Sequence, residues 1–203
     1  MIKASNKPLL LASGNAGKLK ELTLAFADSG FTLQLQPKDS AYDVAETGTT
    51  FVENAIIKAR HAAGLSGLPT LADDSGLIVP SLNGEPGVYS ARYAGDDAND
   101  KDNNAKLLKA LHNSQQRHAY FYCCLVLMQQ ADDPAPVIAE GRWYGEISTQ
   151  PSGEGGFGYD PIFYLPELKC TAAQLSPADK MYLSHRGQAV QQLRIILDNI
   201  INP

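Results

Sequence analysis

A short apolar run at residues 8–12 opens the readable pattern, as a buried strand does. Leu19, Leu22 and Phe26 then recur at helical spacing, with Ser29 and Gly30 as a stop. Residues 31–36 alternate apolar and polar, the signature of a half-buried strand. Thr50 and Glu53 have capping-box spacing and open a helix. Phe51, Ala55, Ala59 and Ala62 lie on its buried face beside Ile56, and Asn54, Lys58 and His61 fall on another. Residues 64–69 close that helix, and 68–72 read as a strand that delivers Asp73 and Asp74 to its C-terminal end. A helix with Ala105, Leu108 and Leu111 at its repeat, and Leu107 adjacent, follows the polar segment 95–104. Residues 119–128 form the strongest strand pattern, 129–136 a hairpin connection, and 137–147 a second strand region. A short strand at 162–165 and a last helix striped by Ala189, Leu193, Ile196, Leu197 and Ile200 complete the chain. Two strand regions in a row without an intervening helix make the sheet mixed, so the fold class is α/β with helices flanking a mixed sheet.

Composition narrows this picture slightly. A chain of 203 residues with 44% apolar and 19% charged residues buries a sizeable core, and nothing in it reads as an interdomain linker. The expectation is one domain spanning 1–203. The net charge of -5 argues against broad nucleic-acid binding while leaving room for a small cationic pocket. No apolar run is long enough for a membrane span, and no apolar h-region follows the lysines at the start. Cys123, Cys124 and Cys170 lack metal-type spacing and read as buried free thiols of a reducing cytoplasm.

Candidate chemistry gathers in four places. Ser13-Gly14-Asn15-Ala16-Gly17-Lys18 is a glycine-rich turn between strand and helix, where backbone N–H groups can cradle a phosphate and Lys18 adds a charge. It lacks the Walker A spacing, and a plain βα turn with a surface lysine explains it equally well. Asp73-Asp74-Ser75-Gly76 offers paired carboxylates that suit Mg²⁺, or simply a turn; in a strand the two acids face opposite sides. Gly153-Glu154-Gly155-Gly156-Phe157-Gly158-Tyr159-Asp160-Pro161 sets a ring and a carboxylate in a glycine-rich segment that a ligand can approach closely, or that makes a tight loop. Lys180, His185 and Arg186 are three donors near a helix start and favour an anion or a carbonyl acceptor. Glu53 is explained by its cap and receives no catalytic role. Together these parts describe a nucleoside phosphate hydrolase or transferase.

At these residues the sequence resembles the inosine/xanthosine triphosphate pyrophosphatase family of non-standard purine nucleotide hydrolases. The matching segments are Ser13 to Lys18, Thr50-Phe51-Val52-Glu53-Asn54-Ala55 with Lys58-Ala59, Ala72 to Gly76, Pro86 to Tyr93, Gly155 to Pro161, and Ser184-His185-Arg186-Gly187. They run in the family's order along nearly the whole chain. The resemblance implies a long, twisted mixed sheet with two lobes around a central cleft, a homodimer, Mg²⁺ dependence, and release of pyrophosphate from ITP, dITP or XTP. It casts Asp74 as general base and metal ligand. Ser13, Gly14, Asn15, Ala16, Gly17, Lys18 and Ser75 become substrate contacts. Phe157, Gly158, Tyr159 and Asp160, with Lys180, His185 and Arg186, become the base and phosphate pocket. One position departs: where the family often has two consecutive acids before Thr-Gly, the first taken as a metal ligand, this chain has Ala45 and then Glu46. Either Glu46 shifts in as a second metal ligand, or water fills the gap, or Mg²⁺ is held mainly by the triphosphate and Asp74. The alternatives are a related pyrophosphatase for another modified nucleotide, or a nucleotide-binding module with weak catalysis.

Overall fold

The computed structural model describes residues 7–27 and 31–201. Ser29 and Gly30 lie outside the described residues, and so does the side chain of Ile200. Among the described residues the strands are β1 (Lys7–Ala12), β2 (Phe31–Leu35), β3 (Thr70–Ile78), β4 (His118–Met128), β5 (Val137–Ile147), β6 (Phe163–Leu165) and β7 (Cys170–Thr171). The helices are α1 (Ala16–Ala25), α2 (Phe51–Ser66), α3 (Asp100–Ala110), α4 (Pro177–Leu183) and α5 (His185–Ile201). A seven-stranded sheet takes the order β2-β1-β3-β4-β5-β6-β7. β1 pairs in parallel with β2 and β3, whereas β6 pairs antiparallel with β5 and β7, so the sheet is mixed as expected.

The chain clusters into two compact units. The first holds the described residues up to Asp74, Cys123–Gly141, and the described residues from Arg186 on; the second holds Ser75–Tyr122 and Arg142–His185. Each has its own apolar core. Leu9, Leu11, Leu22, Phe26, Leu71, Leu125 and Leu193 anchor the first. Leu77, Leu107, Leu111, Phe121, Trp143 and Phe163 anchor the second. Among the described residues no helix is long and apolar enough to cross a membrane.

Three local outcomes position the site. The capping box of α2 forms as its sequence demands, with Glu53 N–H donating to Thr50 Oγ1 at 3.3 Å and Thr50 N–H donating to Glu53 Oε2 at 2.9 Å. β3 does not end before the aspartates: it runs on to Ile78, with Asp73 and Asp74 in its middle and nearly every position buried. The expected strand end is therefore corrected, because basic side chains from other elements neutralise the two carboxylates and let the strand continue. Residues 177–183 form a helix of their own, capped by Ser176 with Pro177 in its first turn, before α5 starts at His185.

Candidate active site

In the first unit, β1 ends at Ala12 and Asn15 caps α1, its side chain accepting the Lys18 N–H at 3.0 Å. Ser13 Oγ in turn accepts the Asn15 N–H at 3.3 Å. Gly14, Asn15 and Ala16 are exposed. A Cβ built on Gly14 would meet nothing within 4 Å, so the packing of the fold does not require glycine there. The Lys18 side chain reaches Asp73, Nζ to Oδ1 at 2.8 Å.

Alternation along β3 sends the neighbouring aspartates to different partners. Asp73 is fully buried; its other oxygen accepts from Arg186 Nε at 2.7 Å and lies 3.4 Å from Cys123 Sγ. Arg186 also donates through Nη1 to Glu21 of α1. Burial alone would raise the Asp73 carboxyl, but Arg186 and Lys18 outweigh it and hold the group well below the usual carboxylate range. Burial and the same Asp73 push the Cys123 thiol well up, and burial pushes Cys124 up to about 12, so these buried thiols are inert.

Asp74 behaves oppositely. Lys58 of α2 donates to Asp74 Oδ1 at 2.7 Å, to the Asp73 carbonyl at 2.9 Å and to Glu46 Oε1 at 3.0 Å. Asp74 Oδ2 is buried with no hydrogen-bond partner. Burial dominates and raises the Asp74 carboxyl above its ordinary value, although Lys58 and Lys18 pull it down. Lys58 is raised as well: desolvation opposes its charge, and Asp74 with Glu46 more than restores it. A cavity of about 160 Å³ opens beside this group, lined by Ser13, Gly14, Tyr42, Asp43, Glu46 and Lys58 among others.

In the second unit, the glycine-rich loop is organised by Asp160. Its Oδ2 accepts the Phe157 N–H at 2.8 Å and pairs with Lys180 Nζ at 2.5 Å, and the residue is 2% exposed. Gly156 is fixed by this arrangement: its φ is +73°, and a Cβ there would sit 2.0 Å from Asp160 Oδ2. Lys180 Nζ also lies 4.7 Å from the centre of the Phe157 ring. Gly158 N–H donates to Asp100 Oδ2 at 2.7 Å, and its carbonyl accepts from Asn104 at 3.1 Å, so the start of α3 clamps the loop. Tyr159 is a core side chain whose hydroxyl donates to the Ser90 carbonyl at 2.8 Å. His185 is buried and stacks on Phe121, rings 12° apart and centroids 4.8 Å apart. Ser75 is half-buried in β3.

The sequence grouped Lys180, His185 and Arg186 as one donor cluster, and the structure divides them. Lys180 and His185 belong to the second unit with Phe157 and Asp160, while the Arg186 guanidinium is engaged by Asp73 and Glu21 in the first. Side-chain direction at consecutive residues of a helix start is not legible from spacing alone.

The profile of the Ham1 family matches residues 9–196. The chain belongs to the Ham1 family. This Ham1 chain is 56% identical over 189 residues to a dITP/XTP pyrophosphatase of Vibrio cholerae, covering 92% of this chain and 94% of that one. It is 58% identical over 195 residues to a dITP/XTP pyrophosphatase of Idiomarina loihiensis, covering 93% and 96%. Among solved structures, a HAM1 protein from Coxiella burnetii aligns with a TM-score of 0.88 at 50% identity, over 95% of this chain and 99% of that one.

Lys58 is the site residue of this Ham1 chain that sequence reasoning passed over, placing it only on a helix face and within a matching segment. A signal was present: one lysine set among Ala55, Ala59 and Ala62 on a helix phased by a strong cap. Whether a divalent cation fits here can be judged from the acids. No group of three or more His, Cys, Asp or Glu that could hold a metal occurs among the described residues. Glu46 and Asp74 nevertheless converge on one cationic group, and Asp74 keeps an unpartnered buried oxygen. Mg²⁺ commonly takes one or two protein carboxylates and completes its shell with water and phosphate oxygens, so this pair fits it.

Proposed function

We propose that this Ham1 chain hydrolyses non-standard purine nucleoside triphosphates, dITP, XTP and ITP among them, to the monophosphate and pyrophosphate. The observation that carries the reading is Asp74: a buried carboxylate with one oxygen held by Lys58 and the other available, in a chain that shares more than half its residues with dITP/XTP pyrophosphatases. Burial makes this carboxylate more basic than usual, which suits a group that takes a proton from water. The water oxygen bonds to the α-phosphorus, the bond from that phosphorus to the β-bridging oxygen breaks, and pyrophosphate leaves.

The turn from Ser13 to Lys18 offers N–H groups and a charge to the phosphates. Mg²⁺, held by Asp74 and Glu46, supplies charge neutralisation at the phosphate oxygens when bound. Phe157 offers a stacking face for the base, and Lys180 with His185 offers donors to the 6-oxo group that hypoxanthine and xanthine carry. Adenine's 6-amino group would leave such a donor unsatisfied, a penalty of roughly 1–3 kcal/mol. The protein works on free nucleotides in the cytoplasm, as a homodimer of one functional domain per chain, and not on nucleic acid or at a membrane.

The test is purified protein with Mg²⁺ and a panel of ITP, XTP, dITP, GTP, ATP and UTP, with pyrophosphate and orthophosphate measured separately. Pyrophosphate from ITP, dITP and XTP, with turnover of the others lower by about tenfold or more, is the expected result. Orthophosphate as the first product, or equal kcat/KM on ATP and ITP, refutes the reading. Asp74→Asn should lower kcat by about two to four orders of magnitude while nucleotide still binds; near wild-type turnover removes Asp74 from the role.

A further inference from the structure

The Lys58 ammonium sits where a cation shared by Glu46 and Asp74 would sit. Its three N–H donors are all engaged, by the Asp74 carboxylate at 2.7 Å, the Asp73 carbonyl at 2.9 Å and the Glu46 carboxylate at 3.0 Å. The acids that fit a divalent ion are thus already bridged by a fixed positive charge belonging to the protein. An incoming divalent cation meets repulsion from that charge and finds one oxygen of each carboxylate taken. Lys58 lines the same cavity as Ser13 and Gly14, so an anionic phosphate entering there offers its ammonium an alternative partner.

We propose that Lys58 is a built-in counter-ion that keeps divalent metal off the Glu46–Asp74 pair until a nucleotide phosphate draws the ammonium away. Metal and nucleotide then bind with positive coupling, and the protein without nucleotide carries little metal. This rests on the reading of Glu46 and Asp74 as metal-holding acids. Coupling is reciprocal, so the metal raises affinity for the nucleotide by the same factor.

The test uses the full chain and Mn²⁺, with free ion read by electron paramagnetic resonance, for wild type, Lys58→Met and Lys58→Gln. Without nucleotide, both variants should bind Mn²⁺ more tightly than wild type by about tenfold or more. A saturating α,β-methylene analogue of ITP, corrected for Mn²⁺ bound by the analogue alone, should raise the affinity of wild type and shrink that gap. Loss of a merely structural lysine would leave metal affinity unchanged or weaken it. Glutamine keeps hydrogen-bonding capacity without charge, so it decides the matter if the methionine variant does not fold. Variants binding Mn²⁺ no more tightly than wild type, while the analogue still promotes binding, would overturn the counter-ion role and leave the metal site standing. Absence of protein-bound Mn²⁺ in every form, with and without analogue, would remove the metal site and this inference with it.

Discussion

Gly14 shows how one residue can separate a demand of folding from a demand of binding. Open space surrounds the position of its absent Cβ, and the turn around it is held by Asn15 and Ser13. Gly14→Ala should therefore change stability by no more than about 0.5 kcal/mol, as an unstrained surface substitution does. If a phosphate approaches the backbone here, the same variant raises KM for ITP by about tenfold or more, since a methyl group blocks close approach. Thermal unfolding and steady-state kinetics on one preparation check both halves. Gly156 is the contrast, because its left-handed φ and a carboxylate 2.0 Å from where a Cβ would stand make glycine a structural necessity.

At the scale of elements, α2 carries the cation of the site, so its start matters more than an exposed cap usually would. The Thr50 hydroxyl and the Glu53 carboxylate satisfy N–H groups that the first turn cannot satisfy itself. The same hydrogen bonds, with the Thr50 hydroxyl foremost, lower the Glu53 carboxyl. Thr50→Ala should cost about 1 kcal/mol, lowering Tm by roughly 2–4 °C in a chain of this size, as calorimetry would show. β3 teaches a different lesson. Two charged residues in mid-strand argue for a strand end on local pattern, yet Lys18, Lys58 and Arg186 come from α1, α2 and α5 to neutralise them. Elements distant in sequence supply the compensation that allows the strand to continue.

At the scale of the whole molecule, Asp73 and Asp74 should affect stability in opposite senses. Asp73 ties α1, β3 and α5 of the first unit together through Lys18 and Arg186. Removing its charge leaves those basic groups without it in a buried setting, so Asp73→Asn should destabilise by about 3–5 kcal/mol. Its depressed folded value means that its stabilisation is complete above the unfolded carboxyl value of about 3.9 and is lost as pH falls through the folded value. Asp74 has the reverse sign: its raised folded value makes its contribution most favourable below the unfolded value and diminishes it as pH rises through the folded one. Asp74→Asn, with Lys58 still bonded to Glu46 and the Asp73 carbonyl, should thus be as stable as wild type or more so at pH 7. Urea unfolding of both variants from pH 3 to 7 distinguishes them, and an equal loss in the two would refute the assignment.

Periodicity, caps and turn chemistry determined much by themselves. The β4 and β5 strands, the box at Thr50 and Glu53, the apolar faces of α1 and α2 and the mixed sheet follow from residues near one another in sequence, whose physics is local. The motif segments likewise marked Asp74, the Ser13 turn and the Phe157 loop as candidate places of chemistry, not because any one spacing is specific but because, taken together and in order, they resemble one family of nucleotide hydrolases. Only the tertiary structure decided what each charge does. It bound Lys18 to Asp73, set Arg186 against Asp73 and Glu21, gave Asp160 to Lys180, and brought Lys58 between Glu46 and Asp74. Those pairings join residues many positions apart, and a buried charge finds its partner through packing, which no local pattern encodes.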